Sequence, residues 1–323
     1  MMQALSSAVA GLDGEQTAMN VIGNNIANVN TIGFKSSSVD FTTLLSQLLS
    51  SGSAPVITAG KPTLGGTNPQ AVGLGVGIGS ITQNMAQGSL QQTGNPLDVA
   101  IQGNGFLVLT GTQGTVYSRD GGLEIDAQGD LVQASTGSLV EGFQPTPPPT
   151  PGSPWAVPAG NLIPPTGTAW TPTYPAAGST TGLAPINIPQ QVTSGGTTYD
   201  LASVAIGSNG QITGTYQGTA SGGSVSSIQV LIGQIPVATF PNENGLIPVA
   251  GNAFTAGPNA GTFSLVGPGT SGGGSFAVGS LEQSNVDISQ ELTNMIVAER
   301  SYQVDAKVIT TADDMLQSLI QVQ

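Results

Sequence analysis

The sequence predicts an α+β protein in which helices at the two ends of the chain pair with each other beside a central, mainly antiparallel β domain. Three observations support this prediction. Apolar residues recur at three- and four-residue spacing in the first thirty and the last forty residues. Apolar and polar residues alternate through much of the middle, between clusters of turn-forming residues. A short proline-rich insert interrupts this β-like region.

These patterns divide the chain into four regions. The predicted regions are a terminal helical core (1–30 and 282–323), an extended or irregular linker with an Asn-Gly turn (31–75), a central β domain (76–143 and 186–281) and the proline-rich insert (144–185). Because the two ends share a helical pattern, the simplest arrangement brings them together in a coiled-coil-like pair.

The N-terminal helix is predicted from an apolar stripe. Its members, which we expect to pack in a helical core or between subunits, are Leu5, Val9, Leu12, Met19, Ile22 and Ile26. Gly11, Gly14 and Gly23 each weaken an isolated helix by about 1 kcal/mol. The helix is therefore expected to depend on packing for its stability.

An asparagine-rich segment follows this helix. The residues expected to form its helix end and turn are Asn24, Asn25, Asn28, Asn30, Gly33 and Phe34. Asparagine is mediocre within a helix, because its amide competes for nearby backbone groups, but it favours helix ends and turns. The segment is predicted to end the helix and to turn the chain at Gly33.

The C-terminal helix is predicted from a heptad pattern. Its apolar positions, which we expect to pack in the core or between subunits, are Ile288, Leu292, Met295, Tyr302, Ile309, Leu316 and Ile320. Ser284 or Asn285 is expected to cap the helix start. Glu299 lies on the predicted seam beside Arg300, and both are candidates for ion pairs that fix the register between helices. The alternative is that both lie on a solvated face, where ion pairs contribute little.

The proline-rich segment from residue 144 is unsuited to a helix or a central strand. It contains both tryptophans, Trp155 and Trp170. Because a solvated linker rarely keeps two tryptophans, we expect this insert to pack on another surface, such as a neighbouring subunit.

Composition excludes several classes of function. Of the 323 residues only 7% are charged, and the net charge of −13 disfavours nucleic-acid binding. The chain contains no Cys and no His, which removes thiol nucleophiles, histidine bases and cysteine zinc sites. The first residues lack the basic and apolar regions of a cleaved signal peptide, and no apolar run is long enough for a membrane helix. We therefore expect no membrane insertion.

The remaining acidic residues do not predict a catalytic or metal site. Asp126 and Asp130, near Asp120 and Glu124, miss the spacing of a calcium loop, so turn formation is the favoured interpretation. Asp120 and Glu124 also lack a setting that favours a glycosidase pair. We therefore expect no enzyme activity, no cofactor and no metal.

Longer segments of the sequence resemble the flagellar rod and hook family. The segments that carry the resemblance are MNVIGNNIANVNTIGFK (19–35), LGGTNPQAVGLGVGIGSI (64–81), QGSLQQTGNPLDVAIQGNGFLVL (87–109), YSRDGGLEIDAQGDLV (117–132), IGQIPVATFPNENGLIPVAGNAF (232–254) and the text from 281 to 321. The resemblance covers nearly all of the chain outside the proline-rich insert.

The segments GGTNPQAVGLGV (65–76) and TGNPLDVAI (93–101) are most similar to hook members of the family. The resemblance then implies a structural subunit that polymerises into a curved helical tube, a universal joint that passes torque from rod to filament. The terminal helices would form its inner layer. It also implies export without a cleaved signal through the type III apparatus to the outside of the cell. The implied partners are copies of the chain, the distal rod protein below, the hook–filament junction protein above and the hook cap during assembly.

Two alternatives remain at this point. Hook proteins of this family usually carry a large outer domain where this chain has only the insert at 144–185, so a distal rod protein, a rigid drive shaft, is the first alternative. A secreted binding module that uses Trp155 and Trp170 as a sugar platform is the second. The asparagine amides are expected either to bond across subunits or to serve only within one chain.

Overall fold

The computed structural model describes residues 2–58, 61–111, 114–145, 148–149, 154–158, 161–163, 171–219, 225–270 and 272–321. The described chain forms two compact units. The helical unit comprises Met1–Val29, Ser36–Asn84 and Val286–Gln323, and the β unit comprises Asn30–Lys35 and Met85–Asn285. The helix–β–helix order along the chain is that of an α+β protein.

Two long helices form the terminal parts of the helical unit. Helix α1 spans Met2–Ala27 and helix α2 spans Ile288–Gln321. Asp287 caps α2, because its Oδ1 accepts the backbone N–H groups of Ser289 at 2.9 Å and Gln290 at 3.3 Å. The prediction that Ser284 or Asn285 caps this helix is therefore wrong. Within the described residues, neither helix is long and apolar enough to cross a membrane.

A long β-hairpin completes the helical unit. Its strands are β1 (Ser37–Thr43), β2 (Ser46–Ser50), β3 (Val56–Thr58), β4 (Lys61–Leu64), β5 (Gln70–Gly73) and β6 (Val76–Gln83). β1 pairs with β6, β2 with β5 and β3 with β4, all antiparallel. The sequence predicts an extended or irregular linker over residues 31–75. The hairpin instead forms because both arms are rich in β-branched and small residues whose backbones pair in register.

The hairpin exposes much of its apolar surface. Its exposed large apolar side chains are Phe41, Leu44, Leu45, Leu48, Leu49, Val72, Leu74, Ile78 and Ile81, of which Leu45 is 83% exposed. A two-stranded ribbon is marginally stable in water by itself. Exposed apolar surface of this extent is typical of an interaction surface.

The β unit contains the remaining strands. They are β7 (Leu90–Gln92), β8 (Val99–Gln102), β9 (Leu107–Gly111), β10 (Gly114–Ser118), β11 (Leu123–Ile125), β12 (Leu131–Gln133), β13 (Leu139–Gly142), β14 (Trp155–Ala156), β15 (Leu162–Ile163), β16 (Ala184–Pro185), β17 (Gln191–Ser194), β18 (Thr197–Ile206), β19 (Gln211–Thr219), β20 (Val225–Gln234), β21 (Val237–Thr239), β22 (Ile247–Val249), β23 (Ala253–Thr255), β24 (Ser264–Val266), β25 (Ser275–Val278) and β26 (Ser280–Glu282).

Two sheets dominate this unit. One has the order β11-β12-β13-β9-β10-β23-β22, with β16 added beside β13, and the other has the order β14-β17-β18-β19-β20-β15. Their pairing is antiparallel except between β14 and β17. The largest core cluster draws residues from both sheets, among them Leu107, Leu109, Leu131, Ile186, Ile212 and Ile232. Alternating apolar residues therefore bury one face of each sheet, as the sequence pattern predicts.

Part of the predicted proline-rich insert belongs to these sheets. Residues 146–147, 150–153, 159–160 and 164–170, which include Trp170, lie outside the described residues. Trp155 is buried and packs with Val192, Tyr199 and Tyr216 in the core of the second sheet. Trp155 is therefore a core residue, and the predicted sugar platform that used its indole face is wrong.

Candidate functional site

Both helices bury small residues, and Gly11 of α1 lies where the two helices meet, whereas Gly14 faces the Phe41 ring of β1. α1 buries a row spaced three and four residues apart, Ala8, Gly11, Gly14 and Ala18, while α2 buries Ala298 and Ala312. The Asp305 carboxylate lies against the Gly11 backbone, where an added Cβ would overlap it. Asn25, two residues before the end of α1, reaches Glu291 near the start of α2. The helices therefore run antiparallel and approach closely.

The apolar residues predicted to form the helical seams are exposed or half-buried on the two helices. The exposed ones are Val9, Ile288, Leu292, Tyr302, Leu316 and Ile320, and the half-buried ones are Leu5, Leu12, Met19, Ile22, Ile26, Met295 and Ile309. None of these thirteen residues is buried within the described chain. Their packing against other copies of the chain stays a prediction.

Asn25 joins three parts of the helical unit. Its Nδ2 donates to the Ser37 carbonyl at 2.8 Å, and its Oδ1 accepts the Ser37 N–H at 2.9 Å. Its Nδ2 also donates to Glu291 Oε1 at 3.1 Å. The side chain is 1% exposed, so this amide satisfies buried backbone groups that apolar residues would leave unpaired.

The next asparagines close the end of α1. The Asn28 N–H donates to the Asn24 carbonyl at 3.1 Å, and Asn28 Nδ2 donates to the same carbonyl at 2.9 Å. Asn24 and Asn30 are exposed. Asn25 and Asn28 thus make hydrogen bonds within the chain, and bonds of these amides across subunits stay a prediction.

Gly33 lies in the turn that the sequence predicts after the end of α1. Its φ of 70° is in the left-handed region, and an added Cβ would lie 2.9 Å from the backbone nitrogen of Asp120. Its N–H donates to the Glu282 carbonyl at 2.8 Å. Phe34, half-buried, donates its N–H to the Thr31 carbonyl at 3.4 Å. The turn is thus held by both its own backbone and the last strand of the β unit.

A buried ion cluster lies beside this turn within the β unit. Lys35 Nζ contacts Glu282 Oε1 at 2.7 Å, and Arg119 Nη1 contacts Glu282 Oε2 at 3.4 Å. The Glu282 side chain is fully buried. The Gly88 N–H donates to Glu282 Oε1 at 2.9 Å, and the Arg119 guanidinium lies 5.2 Å from the centre of the Phe106 ring. The cluster joins four segments that are distant in sequence.

The cluster determines the electrostatics of Lys35. Burial lowers the pKa of the Lys35 amine, and Arg119 lowers it further, whereas Glu282 raises it by hydrogen bonding and by its charge. The Lys35 ammonium also donates to the Ala86 carbonyl at 2.8 Å. Two of the five basic residues of the chain are thus committed to one buried carboxylate.

Glu299 and Arg300 are both exposed on α2. Gln303 Nε2 donates to Glu299 Oε1 at 3.0 Å, and Arg300 Nη1 donates to Gln303 Oε1 at 3.4 Å. The ion pairs found between described residues involve only Glu282, so Glu299 and Arg300 make none there. Their role in register stays a prediction.

The acidic residues considered for metal binding support turns. Asp126 Oδ1 accepts the backbone N–H groups of Gln128 at 2.9 Å and Asp130 at 2.8 Å. Asp120 Oδ2 accepts hydrogen bonds from Gln133 Nε2 at 3.0 Å and Ser135 Oγ at 2.7 Å. Both carboxylates thus accept hydrogen bonds from neighbouring protein groups, which is typical of aspartates that stabilise turns.

Sequence reasoning missed the buried ion cluster and the small-residue helix contact. The cluster had no local signal, because its charged residues are far apart in the chain. The helix contact had one: Gly11, Ala18 and Asn25 are spaced by seven residues, as are Ala298, Asp305 and Ala312. The helices were instead predicted from the larger apolar residues beside these positions, so the spacing of the small residues was overlooked.

Three family models match the chain. "Flagella basal body rod protein" matches residues 5–35, and "Flagellar hook protein FlgE/F/G D1 domain" matches 100–214. "Flagellar basal body rod FlgEFG protein C-terminal" matches 277–322. The matched segments include most of both helices and the first half of the β unit.

Similar proteins extend this match over the whole chain. The flagellar basal-body rod protein FlgG of Bacillus subtilis is 35% identical over 99% of this chain and 98% of its own length. The protein of the same description from Agrobacterium fabrum is 34% identical over 97% of each chain. The flagellar hook protein FlgE of Treponema pallidum is 47% identical, but over 44% of this chain and 30% of its own length. The chain therefore belongs to the family of flagellar rod and hook proteins, which are structural proteins of the flagellum rather than enzymes.

Proposed function

We propose that the chain is a subunit of the flagellar rod that polymerises with copies of itself into a tube. The observation that carries this proposal is the end-to-end correspondence with proteins described as basal-body rod proteins. The hook protein of Treponema pallidum matches over only 30% of its own length. We therefore prefer the first alternative, a distal rod protein, over the hook protein that the sequence motifs favoured.

The exposed apolar surfaces of the helical unit support polymerisation. The faces of α2 that α1 leaves uncovered carry Ile296, Val297, Val304 and Met315, and the hairpin carries a second apolar set. Surfaces of this kind are rare on monomeric proteins. In a tube they would be covered by neighbouring copies, with the terminal helices as the expected inner layer.

The hairpin favours a stiff tube over a flexible one. Its arms are hydrogen-bonded to each other on both sides of bulges at Asp40–Phe41 and Leu48–Ser50, which ties them into one ribbon. If its exposed leucines insert between neighbouring copies, each copy is tied to several others. Such ties suit a drive shaft that transmits torque without changing length.

A hook subunit is the second candidate, because the hook proteins of Treponema pallidum and Borreliella burgdorferi are 47% and 42% identical to this chain over 143 residues. A hook must slide its subunit contacts as it rotates. A chain with only 7% charged residues can shift its contacts without separating many desolvated ion pairs.

Either role carries the same further proposals. We propose export without a cleaved signal through the flagellar type III apparatus to a position outside the cytoplasmic membrane. The neighbouring rod or hook proteins would contact the two ends of the tube, and a cap protein would assist its assembly.

Electron microscopy of basal bodies from a strain that lacks this gene separates the two roles. A rod subunit predicts shortened rods without hooks, and restoring the gene restores full rods. Complete rods that lack only the hook would overturn the rod assignment in favour of the hook. Basal bodies with both parts intact would contradict both roles.

A further inference from the structure

An acidic-edged apolar groove runs along the helical unit. It has a volume of about 530 Å³ and is lined by Glu15, Ile296, Val297, Arg300, Val304 and Asp305. The side chains of Ile296, Val297 and Val304 are about 60% exposed, at 59%, 60% and 63%. This apolar floor has no covering element among the described residues.

Two carboxylates stand at the edge of this groove without a cationic partner. Asp305 lies against Gly11 of α1, and Glu15 lies one turn further along the same helix. Among the described residues neither is in an ion pair. Burial raises the pKa of the Glu15 carboxyl, and the nearby Asp305 charge raises it further, while a hydrogen bond with Ser301 opposes both effects.

The chain has few cations that are able to neutralise this pair. Lys35 and Arg119 are buried on Glu282. Arg300 and Lys307 are exposed on α2, and the Arg300 guanidinium donates a long hydrogen bond of 3.4 Å to Gln303. The fifth basic residue, Lys61, is on strand β4 of the hairpin. A guanidinium presents a planar fork of donors that matches carboxylate oxygens, which an ammonium lacks.

We propose that the groove is filled by α2 of a second copy of this chain, with the Arg300 guanidinium of that copy seated on the Glu15–Asp305 pair. The inference rests on the proposed function, since it names one contact within the homopolymer. It assigns Arg300 a specific acceptor, in place of the general register role that the sequence suggests.

Charge complementarity selects a second copy as the occupant. Each copy presents an acidic pair and a basic residue on the same apolar surface, so two copies offset along the helix axis satisfy both. A contact of this head-to-tail kind joins each copy to the next, and it produces a helical array when the rotation between copies does not close into a ring. A desolvated charged contact also fixes the axial offset, since a shift by one turn leaves a carboxylate unpaired.

Charge-reversal variants of the full chain test this contact through the concentration needed for tube formation, measured by sedimentation and electron microscopy. Glu15→Lys and Arg300→Glu are each expected to raise that concentration by at least about tenfold. Asp13→Lys and Lys307→Glu make the same charge changes at exposed positions on the same helices and are expected to assemble like the parent chain.

Mixing the two defective variants distinguishes a contact between copies from a contact within one copy. If Arg300 of one copy binds Glu15 of another, an equimolar mixture of the Glu15→Lys and Arg300→Glu chains assembles, because opposite charges meet at each alternating contact. A mixture that stays unassembled, while the double variant assembles, would place the contact within one chain and overturn the proposal. Normal assembly of both single variants would also overturn it, whereas a parent chain that forms no tubes would contradict the proposed function itself.

Discussion

At the scale of single residues, the most constrained carboxylate is that of Glu282. It binds Lys35, Arg119 and the Gly88 N–H in a space from which water is excluded. Buried ion pairs are weak evidence of net stability, but removing one partner leaves the remaining charges without compensation. The cluster therefore makes the β unit dependent on one side chain.

Replacing Glu282 by glutamine is expected to destabilise the β unit by about 3–5 kcal/mol, because Lys35 and Arg119 then remain buried as uncompensated cations. Urea denaturation followed by tryptophan fluorescence measures this change, since Trp155 is in the core of the same unit. Glu124→Gln, at an exposed carboxylate, is the control and is expected to change stability by less than about 0.5 kcal/mol. A loss below about 1 kcal/mol at Glu282 would contradict the account.

Gly33 and Gly137 form a matched pair at which backbone strain and crowding can be separated. Both have a φ of 70°, but an added Cβ meets the Asp120 backbone at Gly33 and meets nothing within 4 Å at Gly137. Alanine at either position carries a left-handed penalty of about 1–2 kcal/mol. Only Gly33→Ala is expected to lose about 1–3 kcal/mol more through overpacking. Equal losses in thermal or chemical unfolding would show that the close approach at Gly33 is unimportant.

At the scale of elements, the apolar pattern located both helices, but it did not reveal the small residues where α1 and α2 approach each other. Large apolar residues mark a face that is buried somewhere, and the pattern does not specify against what. The small residues at Gly11 and Ala298 let the helices approach, and they leave side chains such as Leu292 exposed. The hairpin was missed because its glycines and serines resemble a linker.

Alanine substitutions at two glycines of α1 are expected to have unequal effects. At Gly11 an added Cβ overlaps the Asp305 carboxylate, whereas at Gly23 it meets nothing within 4 Å. Gly23→Ala is therefore expected to stabilise α1 by up to about 1 kcal/mol through helix propensity. Gly11→Ala has the same gain in propensity but must displace the Asp305 carboxylate, so it is expected to stabilise the helix pair less than Gly23→Ala does. Circular dichroism at 222 nm during thermal unfolding measures both, and equal stabilisation by the two variants would show that the helices do not approach at Gly11.

The helix pair is also expected to be more stable in acid. Burial and Asp305 raise the pKa of the Glu15 carboxyl in the folded chain. The folded chain therefore binds a proton at Glu15 more tightly than the unfolded chain does. The stabilising contribution is present below the ordinary pKa of 4.5 and is lost as the pH rises through the raised value. The glutamine variant Glu15→Gln should remove this part of the pH dependence of helix unfolding, and Asp13→Asn, at an exposed carboxylate of α1, should retain it.

At the scale of the whole molecule, the sequence predicted the α+β class, the helix at each end and the family. It did not predict which strands bury Trp155 or how Lys35, Arg119 and Glu282 converge, because those contacts join residues that are distant along the chain. The exposed apolar faces of the helices link the fold to the proposed function, because neighbouring copies would cover them in the polymer. They are unfavourable in a solitary chain and favourable in a polymer.

Amide hydrogen exchange, compared between dilute chain and assembled tubes, tests this central claim most directly. If copies of the chain cover the exposed faces of α1 and α2, amides throughout residues 288–321 exchange rapidly in the dilute chain, because the helix pair frays, and slow markedly on assembly. The amides of β9 and β20 in the β unit serve as the internal reference and are expected to change little. Equal protection of both helices at every concentration, without tubes, would contradict the account.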